Sequence, residues 1–210
     1  MKLSRLLLSL ASMTLVSTVA TQPAVGQCRV NEGAKLTASD AETSDWFGFT
    51  VSVSGDVAVV GSWRDDDAGL DSGSAYVYRF DGSSWIEEQK LTASDAGGDD
   101  RFGASVSVSG DVVVVAAVLD DPSGSAYVYR FNGSTWLEEQ KLTASDGPPI
   151  GAFGSMVSVS GDVIVVGVGI KFDLTSAYVY RFNGNTWIEE QKLTASDEAK
   201  GDWFGFSLSV

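Results

Sequence analysis

Short apolar runs alternate with polar turn residues along the chain, and beyond the N-terminal segment no stretch shows a helical period. In FGFTVSVSG, Val51 and Val53 share one face while Ser52 and Ser54 share the other. This two-residue period predicts a half-buried strand. The runs DVAVV and DVVVVAAV are almost wholly apolar, which predicts strands covered on both faces. SAYVYRF alternates aromatic and aliphatic side chains, whereas WIEEQKLT is the most polar segment and suits an outer edge.

Residues that favour positive backbone φ angles separate these segments. Asp81-Gly82 and Asn132-Gly133 each lie between two strand segments, and such pairs favour tight hairpin turns. Gly55 in VSGDV predicts a second tight hairpin. Each unit is therefore predicted to be an antiparallel up-and-down meander of four strands.

The four segments recur at a regular spacing. LTASD begins at Leu36, Leu91, Leu142 and Leu193, so that successive copies are 55, 51 and 51 residues apart. A period of about fifty residues suits a four-stranded propeller blade. Since one such sheet cannot bury both faces alone, neighbouring copies must cover each other.

We therefore predict an all-β fold, a partial β-propeller of about three and a half four-stranded antiparallel blades. The repeats are placed at 36–90, 91–141 and 142–192, with an incomplete repeat at 193–210. The final segment, FGFSLSV, presents an open C-terminal edge, which predicts self-association. Trp85, Trp136 and Trp187 are predicted to pack between blades. Arg79, Arg130 and Arg181 are predicted to pair across a hairpin with Glu87, Glu138 and Glu189.

Two features of the repeat carry a family resemblance. Phe-Gly pairs stand at 47–48, 102–103, 153–154 and 204–205, and VVGS, VVAA and VVGV follow the first three. These motifs resemble the FG-GAP repeat of integrin α-subunit propellers and of many secreted bacterial proteins, the bacterial subtype most of all. In integrins the calcium loop lies between the first two strands of a blade. Here VSGDV holds that position and is too short to wrap an ion, so the resemblance implies no calcium site there.

The amino-acid composition disfavours or excludes several classes of function. The formal net charge of −14 disfavours nucleic acid as a partner, because an acidic surface repels phosphate. The chain has no histidine, which excludes Ser-His-Asp and Cys-His catalysis and His-ligated metals. Cys28 is the only cysteine, so no intrachain disulfide is expected.

The N-terminus reads as an export signal. Residues 1–26 combine a positive start with an apolar run and a small-residue cleavage site, which predicts a signal peptide followed by a linker at 27–35. No later segment has the length or apolarity of a membrane span. We therefore expect a secreted or extracellular protein, with the periplasm or cell surface as alternatives.

The rim that carries the longer loops is the candidate ligand face, because the repeats differ there and loops on a rigid scaffold commonly carry function. Candidate contacts with a protein or carbohydrate ligand are Trp46, Trp63, Arg64, Asp120, Asp121, Lys171, Phe172 and Trp203. Solvated loops without a function are the alternative. Within DDDAGLD, Asp65, Asp67 and Asp71 are weak calcium candidates against a default of a solvated acidic loop. No other cofactor is expected.

The leading hypothesis is a secreted, non-catalytic β-propeller segment that acts as a binding or scaffold module. A glycan-acting enzyme that uses rim carboxylates is one alternative, and a truncated, non-functional fragment is another. Repeats this uniform offer no singular site with shifted pKa values, and an enzyme would need one.

Overall fold

Three four-stranded antiparallel sheets form the body of the protein in the computed structural model. The structure describes residues 34–121, 123–147, 153–169, 176–197, 204–205 and 207–210, and within them it contains twelve strands and no helix. Blade 1 comprises β1 (Thr50–Ser54), β2 (Val57–Ser62), β3 (Ser74–Phe80) and β4 (Trp85–Leu91). Blade 2 comprises β5 (Phe102–Ser109), β6 (Val112–Ala117), β7 (Ser125–Phe131) and β8 (Trp136–Leu142). Blade 3 comprises β9 (Phe153–Ser160), β10 (Val163–Val168), β11 (Ser176–Phe182) and β12 (Trp187–Leu193).

Each sheet is a meander in which strands adjacent in sequence are adjacent in space, as predicted. Gly55 turns β1 into β2 with a φ of +61°, a conformation that glycine adopts without steric cost. The β3–β4 loop differs from the predicted two-residue turn. Phe80 pairs with Trp85, so four residues intervene, and the Asp81 carboxylate accepts hydrogen bonds from the backbone N–H groups of Ser83 and Ser84. The aspartate thus closes a longer loop through its side chain.

The apolar core lies between blades. Val106 and Val108 of β5 pack with Val59 and Val77 of blade 1 in one cluster of buried side chains. A second cluster repeats this arrangement between blades 2 and 3, and there Val157 and Val159 are the counterparts of the β5 valines. Stacked sheets therefore bury each other's faces, which confirms the predicted partial propeller.

The phenylalanines of the Phe-Gly pairs have equivalent surroundings. The Phe102 ring lies 5.6 Å from Tyr127 and 6.1 Å from Tyr129 between ring centroids. Phe153 lies 5.6 Å from Tyr178 and 6.3 Å from Tyr180. The glycine that follows allows two blades to approach. A Cβ atom on Gly103, whose φ is +90°, would stand 2.3 Å from the Ser74 carbonyl oxygen.

The two ends of the stack show what a neighbouring blade does. Val51 and Val53 are 63% and 59% exposed, although their counterparts in β5 and β9 are buried. At the other end, the Val210 N–H donates to Ser158 Oγ at 3.1 Å, the same bond that Val108 makes to Ser52. Residues 207–210 thus lie where the first strand of a further blade would begin, but they form no strand ladder. The described residues contain no helix with the length and apolarity needed to span a membrane.

Candidate functional site on the variable rim

The repeated polar residues of the outermost strands form bonds between blades. Glu88 of β4 accepts hydrogen bonds from Arg79 Nε at 2.9 Å and, across the blade boundary, from Trp136 Nε1 at 3.0 Å. The Arg79 guanidinium lies 4.7 Å from the Phe131 ring centroid of the next blade. Blades 2 and 3 repeat the tryptophan bond, since Trp187 Nε1 donates to Glu139 at 3.0 Å. Trp136 and Trp187 are therefore inter-blade residues, as predicted, and their indole N–H groups take part.

The predicted pairing of arginine with glutamate is wrong by one residue. Arg79 pairs with Glu88 rather than Glu87, Arg130 with Glu139 rather than Glu138, and Arg181 with Glu190 rather than Glu189. A bulge between Val77 and Tyr78 shifts the register of β4 by one residue, so that Glu87 faces Tyr78. Glu87 instead accepts hydrogen bonds from the backbone and hydroxyl of Ser39.

Gln89 binds the backbone of the adjacent blade. Its side-chain amide donates to the Trp136 carbonyl oxygen and accepts from the Trp136 N–H, both at 2.8 Å. Gln140 makes the same two bonds to Trp187, also at 2.8 Å. These amides satisfy backbone groups on one edge of the outer strand of the next blade, which would otherwise lack a partner.

Lys90 sits at the centre of an acidic group on the rim. Its ammonium donates to Asp40 at 2.7 Å, to Asp65 at 2.9 Å and to Asp67 at 2.5 Å. Burial raises the pKa of Asp65, but hydrogen bonds from Lys90 and Tyr76 outweigh this effect and lower the pKa below its usual value. For Lys90, burial alone would lower the pKa. Hydrogen bonds to the three carboxylates outweigh burial and raise the pKa of Lys90 above its usual value. The lysine thus holds a mostly buried aspartate in its ionised form.

Two of the three calcium candidates belong to this group. Asp65 and Asp67 meet Asp40, and one oxygen of each lies within 4.8 Å of the others. Asp71 lies elsewhere, because its N–H donates to Asp66 and its carboxylate is 3.9 Å from Arg64 Nε. The ammonium of Lys90 occupies the position where these oxygens converge. Calcium binding here stays a prediction, and it would require Lys90 to leave.

Blade 2 repeats this lysine-centred arrangement. One of the candidate ligand contacts, Asp120, is buried within it. Lys141 Nζ lies 2.7 Å from both Asp95 and Asp120, and Tyr127 also donates to Asp120 at 3.0 Å. Asp120 was predicted as an exposed ligand contact, but it is buried because this network encloses its carboxylate. Asp121 is exposed and only 3.5 Å from Lys141.

A different set of side chains forms the aromatic–arginine cluster, which consists of Trp46, Phe49, Trp63, Arg64 and Arg101. Ring centroids of Trp46 and Trp63 are 5.2 Å apart, and Phe49 lies 5.9 Å from each of them. The Arg64 guanidinium lies 4.9 Å from Trp46 and 4.8 Å from Trp63, while Arg101 lies 4.7 Å from Trp63. Such contacts are attractive because the cation meets the negative face of the ring.

Exposure divides this cluster into a platform and a base. Trp46 and Phe49 are 49% and 51% exposed, whereas Trp63, expected to be exposed, is buried beneath them. Phe49 and Arg101 were not singled out from the sequence. Both lie next to a Phe-Gly pair. The sequence around such a pair does not show which loop the side chain contacts in the folded protein. Three further candidates, Lys171, Phe172 and Trp203, lie outside the described residues.

Comparison with known proteins shows what the chain is similar to. A comparison with curated proteins found none that matches. Among solved structures, the chain is similar to the crystal structure of Saccharomyces cerevisiae Sqt1, with a TM-score of 0.46 and 12% identity. That likeness covers 71% of this chain and only 35% of the other, so this chain spans about a third of that structure's length.

A family model gives the decisive match. The model described as the FG-GAP repeat matches residues 30–78, 85–129, 136–180 and 187–210, which together make up most of the chain. Each matched unit from the second onward begins on the outer strand of one blade, so the repeat joins neighbouring blades. FG-GAP propellers are generally non-catalytic and typically extracellular. This chain belongs to the FG-GAP repeat family.

Proposed function

We propose that the chain is an extracellular, non-catalytic binding module whose ligand site is the aromatic–arginine cluster on the variable rim. The observation that carries the proposal is that the repeated polar side chains form bonds within the stack, whereas the aromatic–arginine cluster does not recur among the described residues. Repeated polar residues such as Glu88, Gln89 and Lys90 are engaged in bonds between neighbouring parts of the stack. The cluster, in contrast, occurs at one place among the described residues and presents two half-exposed aromatic rings.

Sequence differences between blades support the choice of this location. Where blade 1 has Trp63 and Arg64 after β2, blade 2 has Val118 and Leu119 after β6. Packing that every blade repeats needs the same residues in each copy, so Trp63 and Arg64 are not part of that repeated packing. Exposed aromatic and arginine side chains are also the types enriched where proteins bind ligands and partners.

The buried carboxylates argue for a module without catalytic activity. Asp65 and Asp120 are buried, and each is held by a lysine and a tyrosine in the same arrangement. A carboxyl group that acts as a general acid needs a raised pKa, whereas lysine and tyrosine bonds leave the pKa of Asp65 lowered despite its burial. Asp65 therefore lacks the raised pKa of a general acid, and the lysine bonds to both carboxylates fit a structural role.

A glycan and secreted-protein microarray tests the proposal. We expect the purified chain to bind a restricted set of ligands and the Trp46→Ala variant to lose at least about tenfold in affinity for them. Leu137→Ala is the matched control, since Leu137 is also about half exposed but lies on the outer strand β8. Equal loss in both variants, or none in either, would show that the cluster is not the ligand site.

A further inference from the structure

The aromatic–arginine cluster contains three buried hydrogen-bond donors without an acceptor. Trp63 Nε1, Arg64 Nε and Arg101 Nε are each buried and donate to no atom of the described residues. The nearest carboxylate oxygen to Arg64 Nε is that of Asp71 at 3.9 Å, which is too long for a hydrogen bond. A buried donor left unpaired destabilises a fold, and native structures contain few of them. Three in one cluster therefore indicate a place for an acceptor-rich group.

The charge of the cluster specifies that group further. Two guanidinium groups lie against the Trp63 ring, and Arg101 forms no ion pair within the described part of the chain. In contrast, Arg79, Arg130 and Arg181 on the third strands each pair with a glutamate of the outer strand at 3.0 Å or less. Arg64 lies 3.9 Å from the Asp71 carboxylate, so Arg101 is the arginine of the cluster that has no ion pair among the described residues. Planar guanidinium groups favour carboxylate and sulfate oxygens.

The backbone at the cluster is also unusual. Trp46 and Arg101 have φ angles of +58° and +57°, in the left-handed region that bulky residues rarely adopt. Both side chains reach Trp63 from this conformation, one from each of two adjacent blades. Trp46 and Arg101 occupy the same position in successive repeats, immediately before Phe-Gly, so this conformation belongs to the repeat and brings both side chains to Trp63.

We propose that the cluster binds an acidic sugar residue of an extracellular polysaccharide. The carboxylate or sulfate group accepts hydrogen bonds from the arginine and tryptophan donors, while the apolar face of the sugar ring lies on Trp46 and Phe49. The exposed aromatic platform favours a sugar over an acidic peptide, because a flat apolar surface next to anion donors matches a ring that carries an acid. This inference rests on the proposed binding function and names its ligand class.

Isothermal titration calorimetry of the full chain tests the inference, with oligogalacturonate, its methyl ester and a sulfated oligosaccharide as probes. We expect one of the two acidic probes to bind and the uncharged methyl ester to bind at least about tenfold more weakly. Arg101→Gln and Trp63→Phe should each reduce acid binding about tenfold, since each removes a donor and the second keeps a ring. Arg181→Gln, a distant and half-exposed arginine, is the control and should leave affinity unchanged.

The outcomes separate this inference from the proposed function. Equal binding of the acid and its methyl ester, with loss in Trp46→Ala, would overturn the acidic-sugar inference and leave the rim as a binding site. Binding of hexaglutamate but of no oligosaccharide would also overturn it, in favour of an acidic peptide. If no probe binds in a way that depends on Arg101, the inference fails whatever the microarray shows. Thermal melting of each variant checks that the fold is intact.

Discussion

Lys90 shows how one residue can serve in place of a bound cation. Its ammonium contacts three carboxylates, of which Asp65 is only 3% exposed, and no histidine is present to take over the charge. Removing the ammonium would leave a buried carboxylate next to two further negative charges. That carboxylate would then have to be protonated, exposed to water or paired with another cation to relieve the repulsion.

Replacing Lys90 by methionine should therefore destabilise the protein strongly. We expect Lys90→Met to lower the free energy of unfolding by about 2–3 kcal/mol, somewhat less than the loss of one partner of a fully buried ion pair. Lys192→Met is the matched control in blade 3. There the lysine is more exposed and pairs with Asp146 alone among the described residues, so the loss should be below about 1 kcal/mol. Urea denaturation measures both, and equal losses would contradict the role assigned to Asp65.

The same ion pairs predict a broad plateau of stability against pH. Burial raises the pKa of Asp40, Asp65 and Asp95, but hydrogen bonds from lysine and tyrosine outweigh it and lower the pKa of each. Their contribution is therefore present above the unfolded pKa of about 3.9 and is lost as pH falls through the lower folded pKa. Burial lowers the pKa of Lys90 and Lys141, but their carboxylate partners outweigh it and raise the pKa. That contribution is present below about pH 10.4 and is lost as pH rises toward the folded pKa.

Thermal melting across the pH range checks this plateau. We expect the melting temperature to be nearly constant from about pH 5 to about pH 9, because the chain has no histidine to titrate between these limits. It should fall on both sides. A midpoint of stability loss near pH 6 or 7 would show that some other group controls the fold.

At the scale of the element, the outer strand is both a sheet edge and a connector. In WIEEQKL of β4, the outward Ile86 is 54% exposed, whereas the polar residues Glu88, Gln89 and Lys90 form bonds beyond the strand. The bulge in β4 sets this division, because it moves Glu88 toward Arg79 and leaves Glu87 for Ser39. The charged residues of this strand recur because each copy makes the same contacts with its neighbours.

Gln89 provides a test at this scale. Gln89→Ala should lower the free energy of unfolding by about 1–2 kcal/mol, since it leaves both backbone groups of Trp136 without their side-chain partner. Gln191 occupies the same position in blade 3 but is exposed, and the described residues include no further blade for it to contact. Gln191→Ala should therefore change stability by less than about 0.5 kcal/mol. Chemical denaturation compares the two, and similar values would mean that the inter-blade amide bonds contribute little.

At the scale of the whole molecule, the stack has two unlike faces at its ends. The leading face of blade 1 exposes Val51 and Val53, which match the valines that β5 and β9 bury against a preceding blade. The trailing end carries residues 207–210, held to Ser158 by one described hydrogen bond to Val210. An apolar face and an unpaired edge of complementary form favour head-to-tail contact between two copies.

We predict that this chain self-associates through these ends. Light scattering after size-exclusion chromatography should show a mass above that of one chain, increasing with concentration. The double variant Val51→Lys and Val53→Lys should shift the protein toward the monomer, because it places charge on the leading face. Ile86→Lys, on an outer strand of similar exposure, serves as control and should not. A monomer at all concentrations would contradict the prediction.

Short stretches of sequence are enough to specify the blade. The two-residue period, the glycines at the turns and the fifty-residue repeat identified four-stranded sheets that cover one another. That information is local: alternation and turn chemistry act within a few residues, and each copy repeats them. The inter-blade tryptophans followed for the same reason, since they recur at one position in every copy.

Which polar side chains meet depends on how the blades pack against one another. The bulge that assigns Glu88 to Arg79, the burial of Trp63 and Asp120, and the arrival of Arg101 beside Trp63 all depend on how one blade lies against another. A one-residue shift in register changes every side-chain partner while leaving the apolar pattern of the strand intact. The blade is therefore encoded in short stretches of sequence, whereas the rim and its cluster exist only once blades from distant parts of the chain have stacked.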